Sequence, residues 1–494
     1  MLDTLIQHVC VVDGSGRPRY DADVGIVEDR IVVIQAKSDV QSDGARQANR
    51  PEQAKQVIDG NGWVLAPGFI DVHTHDDTHV IRFPACTPKI SQGVTTVIVG
   101  NCGISASPAV LTASPPDPMN LLGQQDDFVY PAFSDYVDAV ERTTPAVNVA
   151  ALVGHTTLRN NVMDDMYRAA SVEEVAAMKQ ALSAALSEGA LGLSSGLAYA
   201  SAKEAPTAEL MALVEELAAY KGIYTTHLRT EFEGILDAME EAFQTGKHGN
   251  VPVVVSHLKC AGAKNWGRTH DVLALMERTS VTQDVSCDCY PYSASSSTLD
   301  LAQITDAFEI KITWSERMPE HANKRLSDIA AELGLSLHDA ARALQPAGAV
   351  YHCMDEADVE RVLQHRLTAI GSDGLPNDPH PHPRLWGAFP KVLGHYCRER
   401  ELFSLEEAVH KMTGMSAARF NLRDRGILRE GAYADLVLFD PDTVDAAATF
   451  DSPIQVAKGI KQVWVNGQAS WCEPNTAVTQ NITRAGRFLK RGCV

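Results

Sequence analysis

Asp71-Val72-His73-Thr74-His75 follows a turn and an apolar run, Ala66-Pro67-Gly68-Phe69-Ile70. Continuous apolarity after a Pro-Gly turn reads as a buried parallel strand rather than one with a wet face. Side chains alternate along a strand, so His73 and His75 project to the same side. Two imidazoles on one face make half of a divalent-metal site, and imidazole suits zinc, iron or nickel.

Outward from that stretch, one unit recurs: a short apolar run, a polar residue or glycine at its end, then a helical stretch. The runs are 68–71, 94–99, 147–153, 190–194, 222–226, 251–256, 281–287 and 367–371. Between them, Ser171-Val172-Glu173-Glu174 is a capping box followed by Val175, Met178, Leu182 and Leu186 on one face, with Gly189 as the stop. Thr207 to Tyr220 carries a second apolar stripe, and Ser404-Leu405-Glu406-Glu407 opens a third helix. Strand and helix alternating eight times predict an α/β fold, a (β/α)8 TIM-like barrel. The rival, an open doubly wound sheet, lacks the G-x-G-x-x-G turn after its first strand.

The chain ends differ. Residues 22–34 alternate around a turn at Glu28-Asp29, and 434–440 and 463–467 share that texture. Two terminal β segments flanking a barrel most simply form one composite β-sandwich. The organisation expected is a sandwich part at 1–66, a barrel at 67–424, and a second sandwich part with a C-terminal tail at 425–494. The interval at about 290–349 is too long for a barrel loop and reads as a small insertion after strand seven, placed as a lid would be.

Six residues close the runs: His73 and His75, Cys102, His227, His257 and Asp373. In a parallel barrel all strand C-termini gather at one rim, where barrel enzymes place their active sites. A strand-end histidine or aspartate alone is more often structural, and a buried cysteine is usually packing. Their shared relative position makes them a metal constellation. His380 and His382 sit between prolines in a loop without fixed strand geometry and are set aside.

This constellation, with the stretch from Pro67 to Asp77, resembles the amidohydrolase superfamily. The segments around Cys102 (VIVGNCG), Lys259 (SHLKCAG), Tyr290 (DCYPYSASSST) and Asp373 to Arg384 (GSDGLPNDPHPHPRLWG) are similar to the N-acyl-D-amino-acid deacylases, or D-aminoacylases, from about residue 5 to 470. The resemblance implies a tightly bound zinc on Cys102, His227 and His257, a weak second divalent site at His73 and His75, and Cys102 placed to bridge two metals. It also implies that Lys259, Tyr290, Ser296 and Arg384 bind the substrate carboxylate. The fourth run has no lysine to carboxylate, which fits a thiolate-based site and counts against a hydantoinase or dihydroorotase.

Zinc lowers the pKa of water and polarises an amide carbonyl, and the leaving amine then needs a proton. Asp373 is the expected general base and acid. A planar guanidinium at Arg384 matches a carboxylate. The reaction that the resemblance implies is deacylation of N-acyl-D-amino acids. Alternatives are selectivity for N-acyl-D-glutamate or N-acyl-D-aspartate, another amidohydrolase, a catalytically dead scaffold, or a metal-storage or sensory protein. The scaffold should have lost ligands, and the storage role has no use for a carboxylate clamp.

A net charge of −20 disfavours nucleic acid and anionic membranes as partners. Apolar residues at 45% and charged residues at 21% are those of a soluble globular chain. No apolar stretch reaches transmembrane length, the N-terminus shows no secretory signal, and the ten cysteines form no disulfide framework. The location expected is cytoplasmic. Oligomeric state is not encoded in these patterns.

Overall fold

The computed structural model describes residues 1–37, 53–474 and 482–491. Its centre is a (β/α)8 barrel. The strands are Phe69–Asp71, Val94–Val99, a third broken into Asn148–Ala151 and Val153–Gly154, then Gly192–Gly196, Ile223–His227, Val253–Val255, Val285–Cys289 and Thr368–Ile370. Successive strands pair in parallel. At the break in the third strand, the Leu152 N–H donates to Val99 O (3.0 Å). The eighth strand returns to the first through a single Thr74–Gly374 bridge, so the sheet closes and is not the open rival.

The strands are buried along their length, save half-buried His227 at the end of the fifth, because helices cover them. The helix Val172–Ser187 starts where the capping box predicts. Ser171 Oγ accepts from the Glu174 N–H (3.2 Å) and Glu174 returns a bond to the Ser171 N–H (2.7 Å). The 207–220 stretch is α-helical to Val214 and then tightens into a 3₁₀ turn.

Two strand positions differ from the sequence reading. The fourth lies at Gly192–Gly196 rather than 190–194, and the seventh at Val285–Cys289 rather than 281–287. Val281 is 81% exposed at the end of the helix Thr269–Ser280, so its apolarity marks no strand. The shift matters, because it brings Asp288 into the barrel.

Both chain ends build one eight-stranded sheet in the order Gln468–Cys472, Ile460–Val465, Leu436–Phe439, Val64–Pro67, Leu2–Val11, Tyr20–Val27, Arg30–Ala36, with Ala54–Asp59 also on Leu2–Val11. The sheet encloses Ile6, Val24, Ile26, Leu436 and Trp464 in its own core. Residues 38–52, 475–481 and 492–494, which fall in the expected 1–66 and 425–494 segments, lie outside the described residues. The described part of the tail packs under the barrel, with Phe488 bridging Val149.

Between the seventh and eighth strands, Ser295–Thr298, Ala347–Tyr351 and Ile310–Ser315 form an antiparallel sheet with the helices Leu326–Leu333 and Leu337–Leu344. The Ala347–Tyr351 strand runs past 349. Among the described residues no helix is long and apolar enough to cross a membrane.

Candidate metal centre and active site

The strand ends meet at one rim. Cys102 Sγ lies 3.2 Å from His73 Nε2 and 3.4 Å from His257 Nε2. His75 Nε2 lies 3.2 Å, and His73 Nε2 3.4 Å, from Asp373 Oδ1. The His227 ring stands edge-on to His257 at 4.5 Å. Donor atoms of His73, Cys102, His257 and Asp373 all lie within 4.8 Å of one another, and so do those of His227, Glu231 and His257.

Three of these residues sit in left-handed backbone: Cys102 (φ 53°), His257 (φ 36°) and Asp373 (φ 50°). Each such non-glycine position costs on the order of 1–3 kcal/mol and persists where the surroundings enforce it. Here it turns a side chain back over the rim at the point where its strand ends.

Carboxylates fix the rings. Asp288 Oδ1 faces His73 Nδ1 (3.1 Å) and accepts from the His257 N–H (2.9 Å). Glu231 Oε1 faces His257 Nδ1 (2.9 Å). With Nδ1 held, Nε2 of both rings is left for the centre.

The donor set fits a divalent cation. Bonds of about 2.0–2.3 Å to nitrogen and sulfur require neighbouring ligands to crowd as these do. His75 Nδ1 and His227 Nδ1 are buried without a partner. Burial pushes the Cys102 thiol up, but the charges of His73 and His257 and hydrogen bonds from His227 and His257 hold it well below the usual thiol range. Burial lowers His75, yet hydrogen bonds to Asp373 and Cys102 push it up to about 9. Against burial and the Lys259 charge, Glu231, Cys102 and Asp373 raise His257 to about 9 as well. A field that draws protons onto buried imidazoles attracts any cation.

Asp373 joins this centre to a second group of buried polar side chains. Its Oδ2 pairs with Arg384 Nη1 at 2.8 Å. Burial raises its pKa, but Arg384, His257, His73 and the His75 hydrogen bond hold it well below the carboxylate range. Arg384 is fully buried, 4.4 Å from the Tyr290 ring centre, and donates to Ser296 O (3.0 Å). Tyr290 Oη, Ser296 Oγ and Arg384 Nε are buried and unpartnered, a set of donors around an anion-sized demand.

Lys259 lies 5.8 Å from the Tyr290 ring, but its ammonium donates to Glu231 Oε1 (2.6 Å) and faces His257 Nδ1 (2.8 Å). It is already committed to the metal side. His380 is exposed; His382 Nδ1 accepts from the Arg384 N–H (3.0 Å) and its ring packs on Tyr292 and Phe450.

Sequence reasoning brought the six strand-end residues and the Tyr290–Ser296–Arg384 group together and missed Asp288 and Glu231. Asp288 lies inside the seventh strand, one residue before its end. Alternation in Cys287-Asp288-Cys289 was the available signal. Glu231 sits in a loop four residues past His227 and gave none.

The amidohydrolase family profile matches residues 56–470. A D-aminoacylase of Alcaligenes xylosoxydans xylosoxydans is 48% identical, covering 99% of this chain and 98% of its own. An N-acyl-D-aspartate deacylase of the same organism is 47% identical over 99% and 95%. The crystal structure of N-acyl-D-glutamate deacylase from Bordetella bronchiseptica, complexed with zinc and a phosphonate mimic of the tetrahedral intermediate, superposes with a TM-score of 0.92 at 42% identity over 99% of each chain.

Proposed function

The chain belongs to the amidohydrolase family, and from that membership we propose that it is a metal-dependent hydrolase converting N-acyl-D-amino acids and water to a D-amino acid and a carboxylate. The observation that carries this is Asp373, with Oδ1 on the metal-donor set and Oδ2 on the buried cation Arg384. No other described carboxylate touches both.

Cys102, His227 and His257 would hold one tightly bound zinc, and His73 and His75 a weaker second ion, because a thiolate with two imidazoles outcompetes two imidazoles. When bound, the metal polarises the amide carbonyl and acidifies water. The protein does the rest. Arg384, Tyr290 and Ser296 pair the α-carboxylate of the substrate, and burial of that pocket strengthens each charged hydrogen bond. Asp373 Oδ1 accepts the proton lost by the attacking water and returns it to the departing nitrogen. Arg384 steers the carboxylate and holds Asp373 at once, so substrate anchoring and proton transfer share one geometry. Lys259 acts through Glu231 and His257, at the edge of the carboxylate pocket.

Near-equal identity to relatives named for different side chains leaves that choice to the pocket. Ser293 to Ile310 contains no arginine or lysine. Of the loop cations, Arg229 is bound by Glu241 (2.7 and 2.9 Å), Arg268 by Glu233 O and Asn265 Oδ1, and Lys264 is exposed. These commitments support neutral side chains over acidic ones. The buried free thiols, Cys86 and Cys287 among them, support a cytoplasmic setting.

A panel of N-acetyl-D- and N-acetyl-L-amino acids, assayed for released amine on zinc-loaded protein, tests the reading. Turnover confined to D-substrates is expected. Hydrolysis of hydantoins or dihydroorotate without any of the panel would replace it with a cyclic amidase.

A further inference from the structure

Lys89 lies on the short helical turn Thr87–Ile90 ahead of the second barrel strand and is 1% exposed. Its ammonium donates to Asp71 Oδ2 (2.8 Å) and Ser372 Oγ (2.7 Å) and lies 3.2 Å from Asp76 Oδ2. Such a buried cluster is satisfied, yet buried ion pairs are often no more stabilising than apolar packing of the same volume. Its place in the fold supplies a reason for it.

Asp71 ends the first strand two residues before His73, Asp76 follows His75, and Ser372 precedes Asp373. The cluster therefore spans the seam where the eighth strand meets the first. Elsewhere adjacent barrel strands share a ladder; here, among the described residues, they share the Thr74–Gly374 bridge. The side-chain links run through the cluster. Asp71 Oδ1 accepts from the Ser372 N–H (2.8 Å) and the His73 N–H (3.3 Å). Ser372 Oγ accepts from the Gly374 N–H (3.1 Å) and donates to His73 O (3.4 Å). Backbone bonds from Asp373 N to His73 O (2.7 Å) and from His75 N to Gly374 O (3.2 Å) complete the seam.

We propose that Lys89 is a positioning residue for the reaction: with Asp71, Asp76 and Ser372 it locks His73 and His75 against Asp373. The inference rests on the reading of Asp373 as the proton acceptor and of His73 and His75 as a metal subsite. Loosening the lock disturbs the His75–Asp373 contact and the His73–His75 pair together. It leaves Cys102 after the second strand, His227 at the end of the fifth, His257 after the sixth, and Tyr290 and Ser296 beyond the seventh, where they are.

The test uses full-length zinc-loaded protein carrying Ser372→Ala or Lys89→Met. Three quantities are read: kcat and KM for the best N-acetyl-D-amino acid, retained zinc after dialysis, and Co²⁺ affinity titrated into the zinc-loaded protein by visible absorption. For Ser372→Ala the expected result is a kcat loss and a Co²⁺ Kd increase of about tenfold each, the scale of an outer-shell change. KM should stay within about twofold, as for an interaction not used in ground-state binding, with the tight zinc retained. Lys89→Met should show the same pattern, more strongly.

Ser372→Ala with native kcat and native Co²⁺ affinity overturns the proposal, as does a raised KM at unchanged kcat. If Lys89→Met does not fold, Ser372→Ala decides alone. Failure of the underlying reading looks different: Asp373→Asn would then keep native kcat, or unsubstituted protein would take up no Co²⁺ beyond its zinc.

Discussion

At the residue scale, Asp373 is held at both oxygens, by His75 at 3.2 Å and Arg384 at 2.8 Å, and each contact has a separable consequence. Asp373→Asn keeps the shape and removes the proton acceptor, so kcat should fall by at least about 10²-fold, the usual scale of general acid–base catalysis. Zinc content should stay near native; near-native kcat at neutral pH would take Asp373 out of that role. Arg384→Met acts twice, since it strips the substrate carboxylate of its partner and releases Asp373 Oδ2. With N-acyl-D-amino acids, both kcat and KM should suffer. With N-acyl-D-amino-acid amides, which lack the carboxylate, the KM effect should vanish while the kcat effect persists. Amides already hydrolysed as well as acids by the unsubstituted enzyme would refute the carboxylate clamp. The strand-end donors were legible because a parallel barrel converts sequence position into spatial position: a residue closing an apolar run reaches the rim. Glu231 and Lys89 were not. Their partners lie far apart in sequence or on loops, where no periodicity reports direction.

At the scale of elements, helices that declared themselves by caps appeared where expected, since a capping box is local chemistry. Strand boundaries moved where a helix end was as apolar as a strand, as at Val281. One element carries a titration. On the helix Thr207–Val214, Glu209 accepts from Arg159 (2.5 Å) and faces His155 Nε2 (2.8 Å), all three buried. Burial pushes its carboxyl up, but His155 and Arg159 bring it down to about 2 from an ordinary 4.5. A depressed carboxylate contributes stability above its unfolded pKa, which is lost as pH falls from about 4.5 towards 2. At 1.36 kcal/mol per pKa unit this amounts to roughly 3 kcal/mol at neutral pH. Burial lowers His155 and outweighs its Glu209 hydrogen bond, so the ring resists protonation and adds to acid instability in the same direction. Glu209→Gln leaves Arg159 buried with its charge unmatched and should cost about 3–5 kcal/mol at pH 7. Denaturant melts at pH 7 and pH 3 should show the gap from native protein narrowing at the lower pH. A gap of constant size would mean that Glu209 is not titrating in that window.

At the scale of the whole molecule, the β texture of both chain ends was legible, but their pairing was not. Leu2–Val11 runs parallel to Ala54–Asp59 and to Val64–Pro67, a register set by long-range packing on a shared core. Global charge and local pocket then bear on one question, which side chains the enzyme accepts. The chain carries a net charge of −20, and Ser293 to Ile310, the stretch that follows Tyr290, contains neither arginine nor lysine. The nearest sequence candidates are occupied: Gln303 is bound to Asp300, and Lys311 donates to Phe450 O (3.0 Å) and lies 3.5 Å from Asp451. A second substrate carboxylate would be desolvated there without a counter-charge, at a cost of several kcal/mol, or two or more orders of magnitude in kcat/KM. N-acetyl-D-leucine should therefore exceed N-acetyl-D-glutamate and N-acetyl-D-aspartate by at least about 10²-fold. Salt separates the two sources of that preference. Repulsion by the surface charge acts across solvent and is screened beyond roughly 8–10 Å at 0.10–0.15 M ionic strength. Desolvation inside the pocket is not. The preference should persist essentially unchanged between low salt and 0.5 M NaCl. Collapse of the preference in salt would assign it to the surface, and a glutamate or aspartate advantage at any salt would require a cation in the side-chain pocket that none of these arginines and lysines supplies.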